Sequence, residues 1–187
     1  MNIVQKLILI ASLSISTSIY GQPSDIDTVP TVSKITKEVL RVANNYASAV
    51  SCIDSPAEAN DILALHPYKK REDALDAKFL VFWHGDIGCD GGSGTHTDNV
   101  ALVRMGSFDS YYVDPTRSSP RIDLEFNTRF LERLVGNTEN TIVVDAMEFA
   151  KGDSNNFPSL LFRYTLRVDA KGNWKLLDKK LLPTESK

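Results

Sequence analysis

Apolar positions between Val32 and Val50 recur at spacings of three and four. Val32, Ile35, Val39, Val42, Ala43, Tyr46, Ala49 and Val50 share one stripe, and Lys34, Lys37, Glu38, Arg41, Asn44 and Asn45 face elsewhere. This period predicts a long amphipathic helix, capped at its start by Thr31 or Ser33. Asp54-Ser55-Pro56 reads as a second helix start, with Pro56 as the first helical residue and a short helix over Ala57 to Leu65. His66-Pro67 would end it, because a residue before proline avoids helical angles. Tyr68 to Lys78 reads as a short helix or a loop.

The period changes at Phe79. Phe79 to His84 is a dense apolar and aromatic run that predicts a strand, and Gly85 to Gly94 holds five glycines and predicts a loop. Asn99 to Met105 and Ser110 to Asp114 read as further strands, and Pro115 to Pro120 as a turn region. Leu124, Phe126, Phe130, Leu131 and Leu134 fit a helix over Leu124 to Leu134 imperfectly. Thr141 to Ala150 is rich in β-formers. Leu160, Phe162, Tyr164, Leu166 and Val168 alternate with polar residues, which predicts a strand whose apolar face packs on the N-terminal helix. Ala170-Lys171-Gly172-Asn173 signals a hairpin turn into a strand from Trp174 to Leu182. The last three strands form an antiparallel meander, with Lys151 to Pro158 as the longer hairpin loop.

Helices first and an antiparallel sheet afterwards predict an α+β fold, with the helices packed on a curved sheet. The order of long helix, short helix and terminal meander closing on Gly172-Asn173-Trp174-Lys175-Leu176-Leu177 resembles the NTF2-like, cystatin-like cone superfamily. That resemblance spans Val32 to Leu182 and implies a cone with a pocket. It carries no catalytic motif, and the family includes enzymes as well as binding, secretion-system and toxin-immunity proteins. The glycine-rich middle, His84 to Asn99, departs from its pattern.

Met1 to Gly21 reads as a secretory signal peptide, with Lys6 as the positive residue and Leu7 to Ile19 as an apolar run of about 13 residues, short of the roughly 20 that span a bilayer. Cleavage is expected after Gly21 or after Ser18. An uncleaved anchor is the alternative. Residues 22–31 form an extended leader, and residues 32–187 one domain. Cleavage at Gly21 leaves 187 − 21 = 166 residues with 20 basic and 24 acidic side chains, a net charge of −4. An acidic chain is a poor ligand for nucleic acid or anionic lipid. A periplasmic or secreted location without membrane attachment is expected. Export makes oxidation possible, and Cys52 and Cys89 are the only cysteines, so a single disulfide is predicted.

The segment from His84 to Asn99 carries the candidate chemistry. It gathers two histidines, three aspartates, a cysteine and a serine. The pairs His84-x-Asp86 and His96-x-Asp98 each put imidazole and carboxylate on one face of an extended chain, a combination that binds zinc or iron. Their spacing matches no metal motif, and no metal or other cofactor is expected. The run Gly91 to His96 falls short of a calcium-binding nonapeptide, because His96 stands where an aspartate is needed and no repeat follows. Gly88-Cys89-Asp90-Gly91-Gly92 resembles a string in papain-like proteases, where the cysteine is a disulfide partner and not the nucleophile. A nucleophilic Cys89 with His84 or His96 as base is the rival reading. No lysine or helix follows the glycines, so the phosphate-loop patterns fail. Acid–base work by Asp145, Glu148, Asp86 and His84 in a cone pocket is a further alternative.

These readings favour an exported protein-binding module of immunity or inhibitor type, without catalytic residues. Its contact surface is expected at Asp86, Ser93, His96 and Asp98, with Tyr111 or Tyr112 as an exposed aromatic anchor. A small hydrolase or lyase using His84 to Asn99, and a structural accessory of an envelope or secretion complex, are the alternatives.

Overall fold

The computed structural model describes residues 28–92, 94–122, 124, 130–154 and 157–183. The long helix α1 runs from Val32 to Val50. Thr31 caps it, its side chain accepting a hydrogen bond from the Lys34 N–H at 3.3 Å. Ile35, Val39, Ala43 and Ala47 form the buried stripe, one residue per turn, while Val32 and Ala49 stay exposed. At the C-terminus the Ser51 hydroxyl and N–H both turn back to the Ala47 carbonyl. The chain then continues directly into β1 (Ser51–Ile53).

The first sheet is antiparallel and curled. It comprises β1, β2 (Ile62–His66), β3 (Lys78–Ile87), β4 (Thr97–Met105) and β5 (Tyr111–Val113). Two short strands share one edge of β3: β1 pairs with Gly85 to Ile87, and β2 with Lys78 to Val81. Along the other edge β4 pairs with β3 over eight residues. Strand β5 covers only the Val103–Met105 end of β4. Further along, the Ser118 and Ser119 hydroxyls accept the Leu102 and Val100 N–H groups, so an edge that would stand open is satisfied. The second sheet is a four-stranded meander of β6 (Phe130–Asn137), β7 (Thr141–Glu148), β8 (Leu160–Val168) and β9 (Trp174–Leu181).

The layers run helix, first sheet, second sheet. Phe79, Val81 and Trp83 of β3, with Ala101, Val103 and Met105 of β4, face α1. Leu80, Phe82, Val100 and Leu102, one residue out of phase, face Ile142, Val144, Ala146, Tyr164, Leu166 and Trp174 of the second sheet. Covering β3 on both faces explains its unbroken apolar run.

Three expectations change, and the reading of residues 68–78 as a short helix or a loop stands. The predicted second helix is a 3-10 turn at Ala59–Asp61 followed by β2, so α1 is the one α-helix among the described residues. Where a helix was expected over Leu124 to Leu134, Phe130 onward is strand β6; residues 125–129 lie outside the described residues. The 68–78 segment contains a 3-10 turn at Arg71–Asp76. The apolar face of β8 packs on the first sheet and not on α1: Tyr164 and Leu166 are fully buried there, with Phe162 and Val168 against them. The C-terminal meander is present as predicted, and its turn is tied by Asp169, whose side chain accepts the Lys171 and Asn173 N–H groups.

Candidate functional site

The β3–β4 hairpin projects the glycine-rich loop beyond its paired residues, and a disulfide fastens the loop's first half. Cys52 in β1 is bonded to Cys89, with their Cα atoms 5.1 Å apart. The cross-link closes a 37-residue separation, which in the chain-entropy model stabilises the fold by roughly 4 kcal/mol. Strand β1 approaches β3 closely at Gly85, where a Cβ would lie 2.8 Å from the Cys52 carbonyl oxygen. Only glycine leaves room for the pairing that brings Cys52 to the loop.

The loop has a definite shape. Gly88, Cys89, Gly91 and Gly92 all have positive φ, and Cys89, at 59°, is the uncommon one because it carries a side chain. Asp86 is buried beneath the loop; its carboxylate accepts the Gly91 N–H at 2.8 Å and its carbonyl the Cys89 N–H at 3.2 Å. The Gly88 N–H donates to the Val50 carbonyl at 3.3 Å, tying the loop to the end of α1. Residues Gly88 to Gly92 and Gly94 are exposed.

At the loop's base four ionisable side chains converge. His84 of β3 and Asp98 of β4 are directly opposed in the register, with Nδ1 3.1 Å from Asp98 Oδ1. Asp54 follows β1 and bridges two imidazoles: Oδ2 lies 3.5 Å from His84 Nε2, and Oδ1 2.8 Å from His96 Nδ1. The Asp54 N–H also donates to the His84 carbonyl at 3.2 Å. The Phe130 ring stacks on His84, centroid to centroid 5.8 Å. The Asp98 side chain is 8% exposed, and besides His84 the backbone N–H of Leu131 in β6 bears on its carboxylate. Burial pushes its carboxyl above the ordinary value, and the His84 contact partly offsets that. A cleft of about 150 Å³ lies alongside, lined among others by Ser55, Asp61, Trp83, His84 and Asp98.

The expected site residues divide accordingly. His96 and Asp98 join His84 in the cluster. Asp86 is buried beneath the loop as an internal organiser, its side chain accepting the Gly91 N–H and its backbone carbonyl the Cys89 N–H. Ser93 lies outside the described residues. Tyr111 and Tyr112 stand on β5, at the opposite end of β4 from the loop, so they are not anchors beside it. Tyr111 packs under α1, where burial and then Asp109 push its phenol up to about 12; Tyr112 is 44% exposed. Cys89, being disulfide-bonded, is not available as a thiolate nucleophile. Asp145 is held by the Arg163 and Arg133 guanidiniums on the second sheet, and Glu148 by Lys179 and Tyr164, so each carboxylate has partners other than the His84 cluster.

Sequence reasoning missed Asp54 and Phe130. Asp54 sits in a run whose pattern signals a helix start, and thirty positions separate it from His84; only the β1–β3 pairing unites them. It also missed Phe108, fully exposed at a positive φ of 58° in the β4–β5 connection, beside Asp109, which the Arg71 guanidinium holds at 2.7 and 2.9 Å. No helix among the described residues is long and apolar enough to cross a membrane. No protein-family model, curated protein or solved structure matches the chain.

Proposed function

We propose that the protein works by binding another protein through the Gly88–His96 loop, in an inhibitor or immunity-type role outside the cytoplasm. The observation that carries this is an exposed loop whose shape is set before any partner arrives. The Cys52–Cys89 bond, the Asp86 carboxylate and the run of left-handed residues fix it. Such a loop loses little conformational freedom on binding, which removes a major cost of association. A disulfide fits an oxidising compartment, which supports export. An NTF2-like origin belongs to the same proposal and is supported by the long N-terminal helix on a curled antiparallel sheet.

The hydrolase or lyase reading draws support from one feature, the His84–Asp98 pair beside a cleft. The loop is the better-supported agent because the cleft is small against the 300–1,000 Å³ usual for small-molecule sites.

Site-specific photo-crosslinking tests the proposal in the producing cell. A photoreactive residue at Asp90 or Thr95 should give one discrete protein adduct, and the same residue at Val143 on the outer sheet face should give none. Adducts from Phe108 or Val143 but none from the loop would refute it.

A further inference from the structure

We propose that Asp54, His84 and His96 form a binding site for a divalent transition-metal ion, zinc fitting best, with Asp98 as the positioning residue behind His84. One ligand atom from each of the three lies within 4.8 Å of the others. Donors around a tetrahedral zinc, at 2.0–2.1 Å from the metal, are about 3.3–3.4 Å apart. The two imidazole–Asp54 contacts, 3.5 Å to Oδ2 and 2.8 Å to Oδ1, lie on either side of that spacing, and the three donors need to draw in from separations of up to 4.8 Å to complete the geometry.

Three nitrogen-to-oxygen contacts join two imidazoles to two carboxylates: His84 Nδ1 to Asp98, His84 Nε2 to Asp54, and His96 Nδ1 to Asp54. With His84 Nδ1 turned to Asp98, Nε2 is the natural ligand nitrogen, and carboxylate, histidine and metal fall in line. The buried Asp98 carboxylate supplies negative charge that favours a cation beyond the ring. Phe130 stacked on His84 fixes the ring plane.

Two imidazoles and one carboxylate suit zinc and its neighbours better than magnesium or calcium, which prefer all-oxygen sets. Three protein ligands leave a fourth position for water or a partner's side chain. The placement also has a mechanical meaning. Cys89 pins the start of the glycine-rich loop, and His96, the last residue before β4, holds its end. Metal would fasten the second end as the disulfide fastens the first. This inference does not depend on the loop having a protein partner.

The test is zinc titration of tag-free, disulfide-intact protein after chelator treatment, followed by calorimetry, metal analysis and thermal melting. One zinc per chain and a raised Tm are expected. Asp54→Asn and His96→Ala should each weaken zinc at least about 100-fold. Asp98→Asn should weaken it about 10- to 100-fold with one-to-one stoichiometry kept. His66→Ala, the remaining histidine, should leave the affinity unchanged. Because a variant can fail to fold, nitrogen chemical shifts of the wild-type imidazoles give a second readout: zinc should shift His84 Nε2 and His96 Nδ1. No stoichiometric zinc, zinc lost with His66→Ala, or unmoved His84 and His96 nitrogens would overturn the proposal. None of these measurements involves the partner protein, so a failed metal site and a failed loop interface are told apart.

Discussion

Asp145 is a buried charge held by two arginines. Its side chain is 2% exposed and lies under two guanidiniums: Arg163 Nε at 2.7 Å and Arg133 at 2.6 Å. Arg163 first, and Arg133 after it, hold the carboxyl below its ordinary value against the opposing effect of burial. A carboxyl lowered in the folded state contributes stability that is fully present above its unfolded value, roughly pH 4, and is lost as pH falls through the lower folded value. Asp98, raised by burial, contributes with the opposite sign. Urea unfolding at pH 7, 4 and 2.5 should therefore show an acid-side loss that is smaller in Asp145→Asn. That variant should also be less stable at pH 7 by about 1.5–3 kcal/mol, the worth of hydrogen bonds to a charged group. Equal stability of variant and wild type at pH 7 would contradict this. Asp145 was legible in the sequence only as a candidate acid–base residue. Alternation along β7 places it on the face opposite Ile142 and Val144, but nothing local announces the two arginines that come from β6 and β8.

At the scale of elements, the strongest periodicities were read correctly: α1, β3, β4 and the C-terminal meander. The failures have physical causes. Ala57 to Leu65 carries good helix-start signals, yet Ile62 to His66 pairs with β3, and tertiary pairing outweighs a cap. Strand β6 has register shifts at Leu131/Arg133 and Leu134/Gly136. Such bulges break the period of two and leave Leu131 and Leu134 three apart, a helical spacing. The apolar face of β8 was visible, but alternation tells only that a face is buried and not what covers it. The β1–β3 pairing was invisible because β1 is three residues long. It depends on Gly85, so Gly85→Ala should force β1 away from β3 and cost about 1–3 kcal/mol in urea unfolding. Wild-type stability would show that the close approach is not maintained in solution.

Over the whole molecule, the architecture carries one segment outward. Core lies on both faces of the first sheet, between it and α1 and between it and the second sheet. Strands β3 and β4 are thus buried on both sides along much of their length and present the loop from a rigid base. The candidate site was half legible. Residue types within His84 to Asn99 marked the region, and the count of two cysteines gave the disulfide. The third ligand, Asp54, came from a distant part of the chain that only folding brings in. That loop is the contact surface on this account, and Gly94 gives the cleanest way to test it. A Cβ there meets nothing within 4 Å, so a side chain adds bulk without a clash in the fold. The decisive measurement is the affinity of Gly94→Arg for the cross-linked partner, read beside its Tm. The Tm should stay within about 2 °C of wild type, and binding should weaken at least about 30-fold, or 2 kcal/mol. A folded Gly94→Arg protein with wild-type affinity would contradict the claim that the loop makes the contact.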